Sequence, residues 1–166
     1  MSDQPWLTDE QQRVWRLYLR VSRELNERVE GDMQRKAGLP FAYYLILAML
    51  SEAPGRALRM NQLAVVLNAS QSRTSHAVAR LEEQGWVRRE RTPLDGRGQV
   101  ATLTDAGWEK VVQLAPSHAE TVRCAMFDPL SDDDLAAFGR TLDKIDVSLG
   151  PAPASAVVSQ GYVPVE

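Results

Sequence analysis

The chain has 166 residues, the length of one domain, and its 44% hydrophobic and 25% charged residues are ordinary for a folded protein and exclude wholesale disorder. The longest apolar run, residues 41–50, is well short of the roughly 20 residues of a membrane-spanning helix. The N-terminus carries no secretory signal and Cys124 is the only cysteine, so we expect a cytoplasmic protein without a disulfide.

Positive charge is concentrated in the middle of the chain, although the net charge is −3. Residues 56–98 contain eight arginines and four acidic residues, a local balance of +4, so the remainder carries −7. Affinity for phosphate depends on such local patches rather than on the net charge. The distribution therefore favours a nucleic-acid partner for this segment.

Two helices are predicted in the first third of the chain. A capping box of Thr8 and Gln11 begins the first helix, and Gly38 is its expected end. Residues 8–38 are interpreted as a dimerisation helix. A second helix is expected to have Pro40 at its first position, where the missing N–H of proline costs nothing.

The centre of the chain has the element order of a winged helix-turn-helix. A short helix over residues 60–67 is followed by a break and by a longer helix that Ser70 caps. Residues 86–91 and 99–103 have the pattern of two short strands, and the segment between them is rich in turn residues. Residues 39–104 are therefore predicted to form a DNA-binding lobe with a wing of two to three strands.

The last two helices, over residues 105–149, are predicted to complete the dimerisation region. Thr104 or Asp105 caps the first of them, and Ser131 caps the second. The second helix has an apolar stripe that a copy related by two-fold symmetry would bury. Residues 150–166 have no periodicity and are interpreted as a flexible tail. The stripe consists of Leu135, Phe138, Leu142, Ile145 and Leu149.

These elements predict a mainly α fold of six helices with a β wing, and the fourth helix exposes a polar face suited to DNA. The outward side chains are hydroxyls, an amide, an imidazole and guanidiniums, and no acidic residue lies between Ser70 and Leu81. A merely solvated helix face usually mixes Lys with Glu, which this face does not. The candidate DNA contacts on this helix are Ser70, Gln71, Ser72, Arg73, Ser75, His76 and Arg80.

The predicted wing adds a second set of candidate DNA contacts. Glycines at its tip permit sharp turns, and an arginine at such a tip can enter a narrow minor groove. A hairpin kept soluble by charge has the same composition, so the wing alone does not decide the function. The candidate contacts in the wing are Arg88, Arg91, Asp95, Gly96 and Arg97.

The element order and several motifs resemble the multiple-antibiotic-resistance regulator (MarR) family. The resemblance covers about residues 8–149, so the tail lies outside it, and Pro40 stands where Ser or Thr is commoner. The run from the fourth helix through the wing is its most specific part. The motifs that carry it are LSEAPG at 50–55, SQSRTSHAVARLEEQG at 70–85, VRR at 87–89, DGR at 95–97, LTDAG at 103–107 and FDPLS at 127–131.

The resemblance implies a homodimeric bacterial transcription factor, usually a repressor that small molecules or thiol oxidation release from DNA. It implies that the candidate residues of the fourth helix lie at the major groove of a near-palindromic operator in double-stranded DNA. Arg97 would be the wing arginine, oriented by Asp95. Trp15, Tyr43 and Tyr44 would line a pocket for a small aromatic or phenolic effector, although core packing is the commoner role of aromatics at this spacing.

The remaining candidate sites favour structural roles, and no metal or cofactor is expected. Cys124 beside Arg123 has the surroundings of a reactive thiol. The cysteine sensors of the family lie near the start of the chain, however, so a buried or half-buried packing residue is the favoured interpretation. His118 is interpreted as structural, and the acidic run at 132–134 is explained by helix capping.

Two alternative functions stay open at the level of the sequence. One is a dimeric winged-helix adaptor without DNA binding, which acidic partner helices covering the arginines would favour. The other is a regulator that senses thiol oxidation through Cys124. An enzyme is not expected, because the chain has no H-E-x-x-H, G-x-S-x-G or Walker motif, and its two histidines and one cysteine suggest no nucleophile–base pair.

Overall fold

The computed structural model of the chain describes residues 5–91 and 98–150. In these ranges, six α-helices and a three-stranded antiparallel sheet form the mainly α architecture that the sequence predicts. None of the helices described is long and apolar enough to cross a membrane. The helices are α1 (Asp9–Ala37), α2 (Phe41–Glu52), α3 (Met60–Val66), α4 (Gln71–Glu83), α5 (Asp105–Val122) and α6 (Asp132–Leu149), and the strands are β1 (Ala57–Arg59), β2 (Val87–Arg91) and β3 (Gln99–Leu103).

The junction between α1 and α2 follows one local signal and departs from another. The predicted capping box of Thr8 forms, and Gly38 ends α1 in the left-handed conformation at φ 62°. Pro40 is not the first residue of α2, because its ψ of 137° is extended and the helix begins at Phe41. The physical reason is a tertiary cap: the carboxylate of Glu30 on α1 accepts the N–H of Phe41 at 3.2 Å.

The sheet has the strand order β1-β3-β2, so β2 is an edge strand. The two strands read from the sequence are β2 and β3, and β1 is an additional strand. β1 has three residues and buries only Leu58. A strand this short shows no recognisable alternation of apolar and polar residues in the sequence. It is defined by its pairing with β3, where Leu58 lies opposite Ala101. The tip of the wing, residues 92–97, lies outside the described residues.

The core of the winged lobe lies between α2, α3, α4 and the sheet. Its centre consists of aliphatic side chains that are fully buried, and each contributes about 1.5–3 kcal/mol relative to an exposed position. The central residues are Ile46, Leu47, Leu50, Leu63, Val78 and Leu81. This core fixes which face of α4 is turned away from the protein.

α5 connects the winged lobe to the C-terminal part of the chain. Thr104, not Asp105, caps it by accepting the N–H of Gly107 at 3.0 Å. The helix includes Pro116 and passes into a π-helical turn at Arg123–Phe127.

α6 lies on the surface of the single chain. It begins with a capping box of Ser131 and Asp134, as the acidic first turn predicts, and it buries none of its residues. The predicted apolar stripe is exposed along its length, from Leu135 at 44% exposure to Leu149 at 79%.

Candidate nucleic-acid interface

The recognition-helix candidate α4 is held by its cap and by one apolar face. The Ser70 side chain accepts the N–H of Arg73 at 3.3 Å, and the Thr74 hydroxyl donates to the Ser70 carbonyl at 3.1 Å. Thr74, Val78 and Leu81 are buried on the inner face. These positions recur at helical spacing, so the residues between them are turned outward.

The outward face of α4 carries the side chains that the sequence predicts for DNA contact. No acidic residue occurs on α4 before Glu82, so the first three turns present only neutral and positive groups. Such a face suits phosphates and the acceptor edges of bases. Exposed on it are Ser70, Gln71, Ser72, Arg73, His76 and Arg80, and Ser75 is half-buried.

The arginines of this region differ in how they are held. In the described part of the chain, neither Arg73 nor Arg91 pairs with an acidic side chain. Arg80 pairs with Glu83 at 2.8 Å, and both side chains are more than half exposed. Arg73 and Arg91 can therefore meet a phosphate or a base without first leaving a protein partner, whereas Arg80 cannot.

Strand β2 carries the candidate wing contacts that the structure describes. Arg88 lies on its exposed side and pairs with Glu90 at 3.0 Å. Arg91 is exposed at the end of the strand. The other three candidates, Asp95, Gly96 and Arg97, fall outside the described residues.

The end of α4 is tied tightly to the beginning of α5. The Thr104 hydroxyl donates to the Gly85 carbonyl at 2.7 Å, and the Thr104 N–H donates to the Trp86 carbonyl at 3.0 Å. Gly107 packs so closely on the same carbonyl that a Cβ there would lie 2.1 Å from the Trp86 oxygen. The close approach requires glycine at this position.

A cleft of about 170 Å³ lies between α1 and α5. The Thr121 hydroxyl on α5 donates to the Asp32 carboxylate on α1 at 2.7 Å, and Lys36 Nζ lies 3.5 Å from the same carboxylate. The hydrogen bond from Thr121, together with the nearby Arg35 and Lys36, holds the pKa of Asp32 below its usual range. Gln113, Ser117 and His118 complete the polar lining.

His118 occupies the inner wall of this cleft. Its ring lies 4.8 Å from the ring of Tyr44 and 5.4 Å from that of Phe41, measured between centroids. Its Nδ1 is buried without a hydrogen-bond partner in the described structure, and burial lowers the pKa of His118. A neutral, polar ring nitrogen thus lies beside the cleft.

The three aromatic residues predicted to form a pocket do not come together within one chain. Tyr44 is buried against His118, and Tyr43 packs against the core of the winged lobe. Trp15 is half-exposed on α1 and stacks on Tyr18. Trp15 precedes Glu30, a residue of α1 that contacts α2, by 15 positions, about 22 Å of helix rise.

Cys124 is exposed on the π-helical turn, so the expectation of a buried or half-buried packing residue is wrong for the single chain. The physical reason is the turn itself, in which Cys124 and its neighbour Arg123 are both outside the packed face. Within residues 5–91 and 98–150, no cluster of His, Cys, Asp and Glu is arranged to hold a metal ion.

Two contacts in this region were not predicted from the sequence. The hydrogen bond between Thr121 and Asp32 joins positions 89 residues apart, so no local sequence pattern predicts it. The contacts of Glu82 with Arg89, seven residues along, cross from a helix to a strand, and neither helical nor strand spacing brings such positions together. The sequence signal for the contact of Glu82 with Arg89 was an acid at the end of the recognition helix, followed by an excess of arginines in the next strand.

Comparison with known proteins relates this chain to transcriptional regulators. A model of the MarR family matches residues 37–98. Sco3205, a MarR family transcriptional regulator from Streptomyces coelicolor whose structure is a complex with DNA, is 45% identical with a TM-score of 0.82, over 92% of this chain and 96% of that one. AbsC, a MarR family transcriptional regulator from the same organism, is 40% identical with a TM-score of 0.79, over 88% and 98%. The uncharacterized HTH-type transcriptional regulator YkoM of Bacillus subtilis is 24% identical over 121 residues, 73% of this chain and 76% of its own length.

Proposed function

The chain belongs to the MarR family of transcriptional regulators, and we propose that it binds double-stranded DNA of defined sequence as a homodimer, acting as a repressor that a small-molecule effector releases. The observation that carries the proposal is the outward face of α4, which is exposed, has no acid over its first three turns and includes Arg73, which pairs with no acidic side chain among the described residues. The DNA complex of Sco3205, at 45% identity, supports it.

In this proposal, α4 enters the major groove and β2 follows the DNA backbone. Hydroxyl, amide and guanidinium groups on α4 match the donor and acceptor pattern of base edges, which differs for every base pair in the major groove. Arg88 and Arg91 on β2 supply positive charge for phosphates, which adds affinity without sequence information.

The homodimer is supported by apolar surface that the single chain leaves uncovered. α6 exposes Leu135, Phe138, Leu142 and Ile145, and α1 exposes a further set beginning at Val14. A groove of about 480 Å³ between them, lined in part by Val21, Leu25 and Phe138, joins the two faces. Monomeric proteins rarely expose apolar surface of this extent. A symmetric dimer would also present two recognition helices about 34 Å apart, one turn of DNA.

The effector is proposed to bind in the cleft between α1 and α5. A cavity of roughly 150 Å³ accommodates benzene in another protein, so a cleft of about 170 Å³ has room for a compound with a single ring. The ring of His118 offers an aromatic surface, and the side chains of Gln113 and Ser117 in the same lining offer polar groups, to a small aromatic or phenolic ligand. α5, which forms one wall, is bonded at its other end to the residues that follow the recognition helix.

DNA binding is tested by selecting bound duplexes from a random-sequence pool and measuring their affinity by fluorescence anisotropy. We expect enrichment of a near-palindromic sequence that binds at least about 1,000-fold more tightly than scrambled duplex. Equal affinity for all sequences, or no binding, would contradict the proposal and favour the adaptor.

The dimer is tested by light scattering on two variants with matched chemistry. Leu142→Asp on α6 is expected to yield monomers, whereas Val65→Asp on α3, at similar exposure, is expected to stay dimeric.

The effector site is tested with phenol and benzoate as ligands of the cleft. We expect them to weaken operator binding by the wild type but not by Ser117→Phe, which fills the cleft, and an identical effect on both proteins would argue against this effector site.

A further inference from the structure

Within the described residues, the carboxylate of Glu82 links the recognition helix α4 to strand β2. One carboxylate oxygen accepts the backbone N–H of Arg89 at 2.8 Å, and the other lies 2.5 Å from both Nε and an Nη atom of the Arg89 guanidinium. Both side chains are only 26% exposed, unlike the surface pair of Arg80 and Glu83. A charged, three-point contact with partial burial holds geometry more firmly than a solvent-exposed ion pair.

This contact occupies the free edge of the sheet. Because β2 is the edge strand, the main-chain groups on its outer side have no neighbouring strand to bond. The N–H of Arg89 is one of these groups, and the Glu82 carboxylate satisfies it. Helix α4 therefore replaces the missing strand at this point, and β2 takes its position from the recognition helix as well as from β3.

The same contact decides where Arg91 lies. Side chains alternate along a strand, so Val87, Arg89 and Arg91 share the face of β2 that is turned to α4. Arg88 and Glu90 share the opposite face, consistent with their ion pair. Arg91 lies two residues after Arg89, so it is the next side chain on the face of β2 that is turned to α4. It is exposed and unpaired in the described structure.

We propose that Glu82 is a positioning residue for DNA binding, which fixes β2 against α4 so that Arg91 meets the phosphate backbone while α4 occupies the major groove. The inference rests on the proposed DNA-binding function. Arg89 is thereby assigned to this contact and not to DNA, in contrast to its neighbours Arg88 and Arg91.

The sign of the expected effect separates this role from simple electrostatics. Glu82 is a negative charge at the end of the recognition helix, and removing an acid near DNA ordinarily strengthens binding. A positioning role predicts the opposite, because without Glu82 the strand loses its anchor and Arg91 loses its place. Glu83, the next residue of the same helix, has the same charge, but its carboxylate pairs with Arg80 of α4. It is the matched control.

The experiment is a double-mutant cycle in operator binding, measured by fluorescence anisotropy at several salt concentrations. We expect Glu82→Ala to weaken binding by about tenfold in the wild-type background and by less than about twofold in the Arg91→Ala background, since the two changes remove the same phosphate contact. Glu82→Ala and Arg91→Ala should each reduce the salt dependence by about one unit of slope. Glu83→Ala should bind as tightly as the wild type or more tightly.

Two further measurements keep the result interpretable. Glu82→Gln retains an acceptor for the Arg89 N–H, so we expect a smaller loss than for Ala and a melting temperature close to that of the wild type. Titration at stoichiometric DNA gives the active fraction of each variant, so misfolded protein does not count as lost affinity.

Several outcomes would overturn the inference. Binding by Glu82→Ala that equals or exceeds that of the wild type would assign Glu82 to electrostatics alone. Equal fold losses in the wild-type and Arg91→Ala backgrounds would mean that Glu82 affects DNA binding independently of Arg91. If the wild type itself selects no operator, the proposed function fails, and that result is distinct from either of these.

Discussion

Because Gly107 of α5 lies close to the carbonyl of Trp86, we predict that Gly107→Ala destabilises the protein. Gly107 is the third residue of α5, in an ordinary helical conformation, so alanine is compatible with its backbone. Its added Cβ, however, would lie 2.1 Å from the carbonyl oxygen of Trp86 and 2.7 Å from a methyl carbon of Leu103. The first of these atoms belongs to the main chain and cannot turn aside.

The magnitude follows from this geometry. An ordinary contact begins near 3.4 Å, so the start of α5 must move by about 1.3 Å. Overpacking of this kind costs about 1–3 kcal/mol, and the displacement also weakens the two hydrogen bonds from Thr104 to Gly85 and Trp86, worth about 1 kcal/mol each. The helical preference of Ala over Gly offsets about 0.5–1 kcal/mol. We expect a net loss of about 2–4 kcal/mol in the free energy of unfolding.

The measurement is urea and thermal unfolding at one fixed protein concentration, because the proposed dimerisation would couple stability to concentration. A loss of this size lowers the melting temperature by roughly 10 °C in a domain of this length. Gly31→Ala is the matched control: its Cβ would meet only the end of the flexible Arg35 side chain, at 2.9 Å, so we expect unchanged or slightly higher stability. A Gly107→Ala protein as stable as Gly31→Ala would refute the steric argument.

Three further predictions concern the charged groups. Arg73→Ala should cost about 1–3 kcal/mol on the operator and much less on scrambled DNA, whereas Arg91→Ala should weaken binding to both alike; equal losses for Arg73→Ala on the two DNAs would reverse these roles. Glu83→Gln frees Arg80 from its 2.8 Å ion pair, so affinity at low salt should rise a few-fold, and the gain should vanish at high salt. Burial lowers the pKa of His118, so the contribution of the neutral ring to stability is complete above the unfolded pKa and is lost as the pH falls towards the folded pKa. Between about pH 7.5 and about pH 5.5, His118→Phe should therefore lose less free energy of unfolding than the wild type. Equal losses in the two proteins would exclude His118 as the source of the pH dependence.

The sequence predicted the elements whose signals are local. Helix caps at Thr8, Ser70 and Ser131 are recognisable because the capping side chain and the N–H that it accepts are three residues apart. The inner face of α4 was equally accessible, since helical spacing alone separates the buried Val78 from the exposed Arg73.

The features that the sequence did not predict depend on contacts between elements. β1 exists because Leu58 pairs with β3, and Phe41 begins α2 because Glu30 of α1 caps it. The exposure of Cys124 follows from the π-helical turn, for which no sequence pattern is available. In each case, the deciding partner is remote in sequence or its geometry is not encoded by spacing.

The pattern of ion pairs explains how an acidic protein can use a basic site selectively. At physiological salt, charges farther than about 8 Å from a phosphate are screened, so the net charge of −3 matters less than the groups on α4 and β2. Among those groups, Arg80 and Arg88 pair with Glu83 and Glu90, so in the proposed complex each arginine binds a phosphate only when its ion pair opens. On an operator, the base contacts of α4 would hold the protein in one register, with a phosphate beside each arginine, whereas on random DNA both ion pairs can stay closed. We therefore expect these acids to lower non-specific affinity more than operator affinity, which is the ratio that a regulator searching a genome depends on.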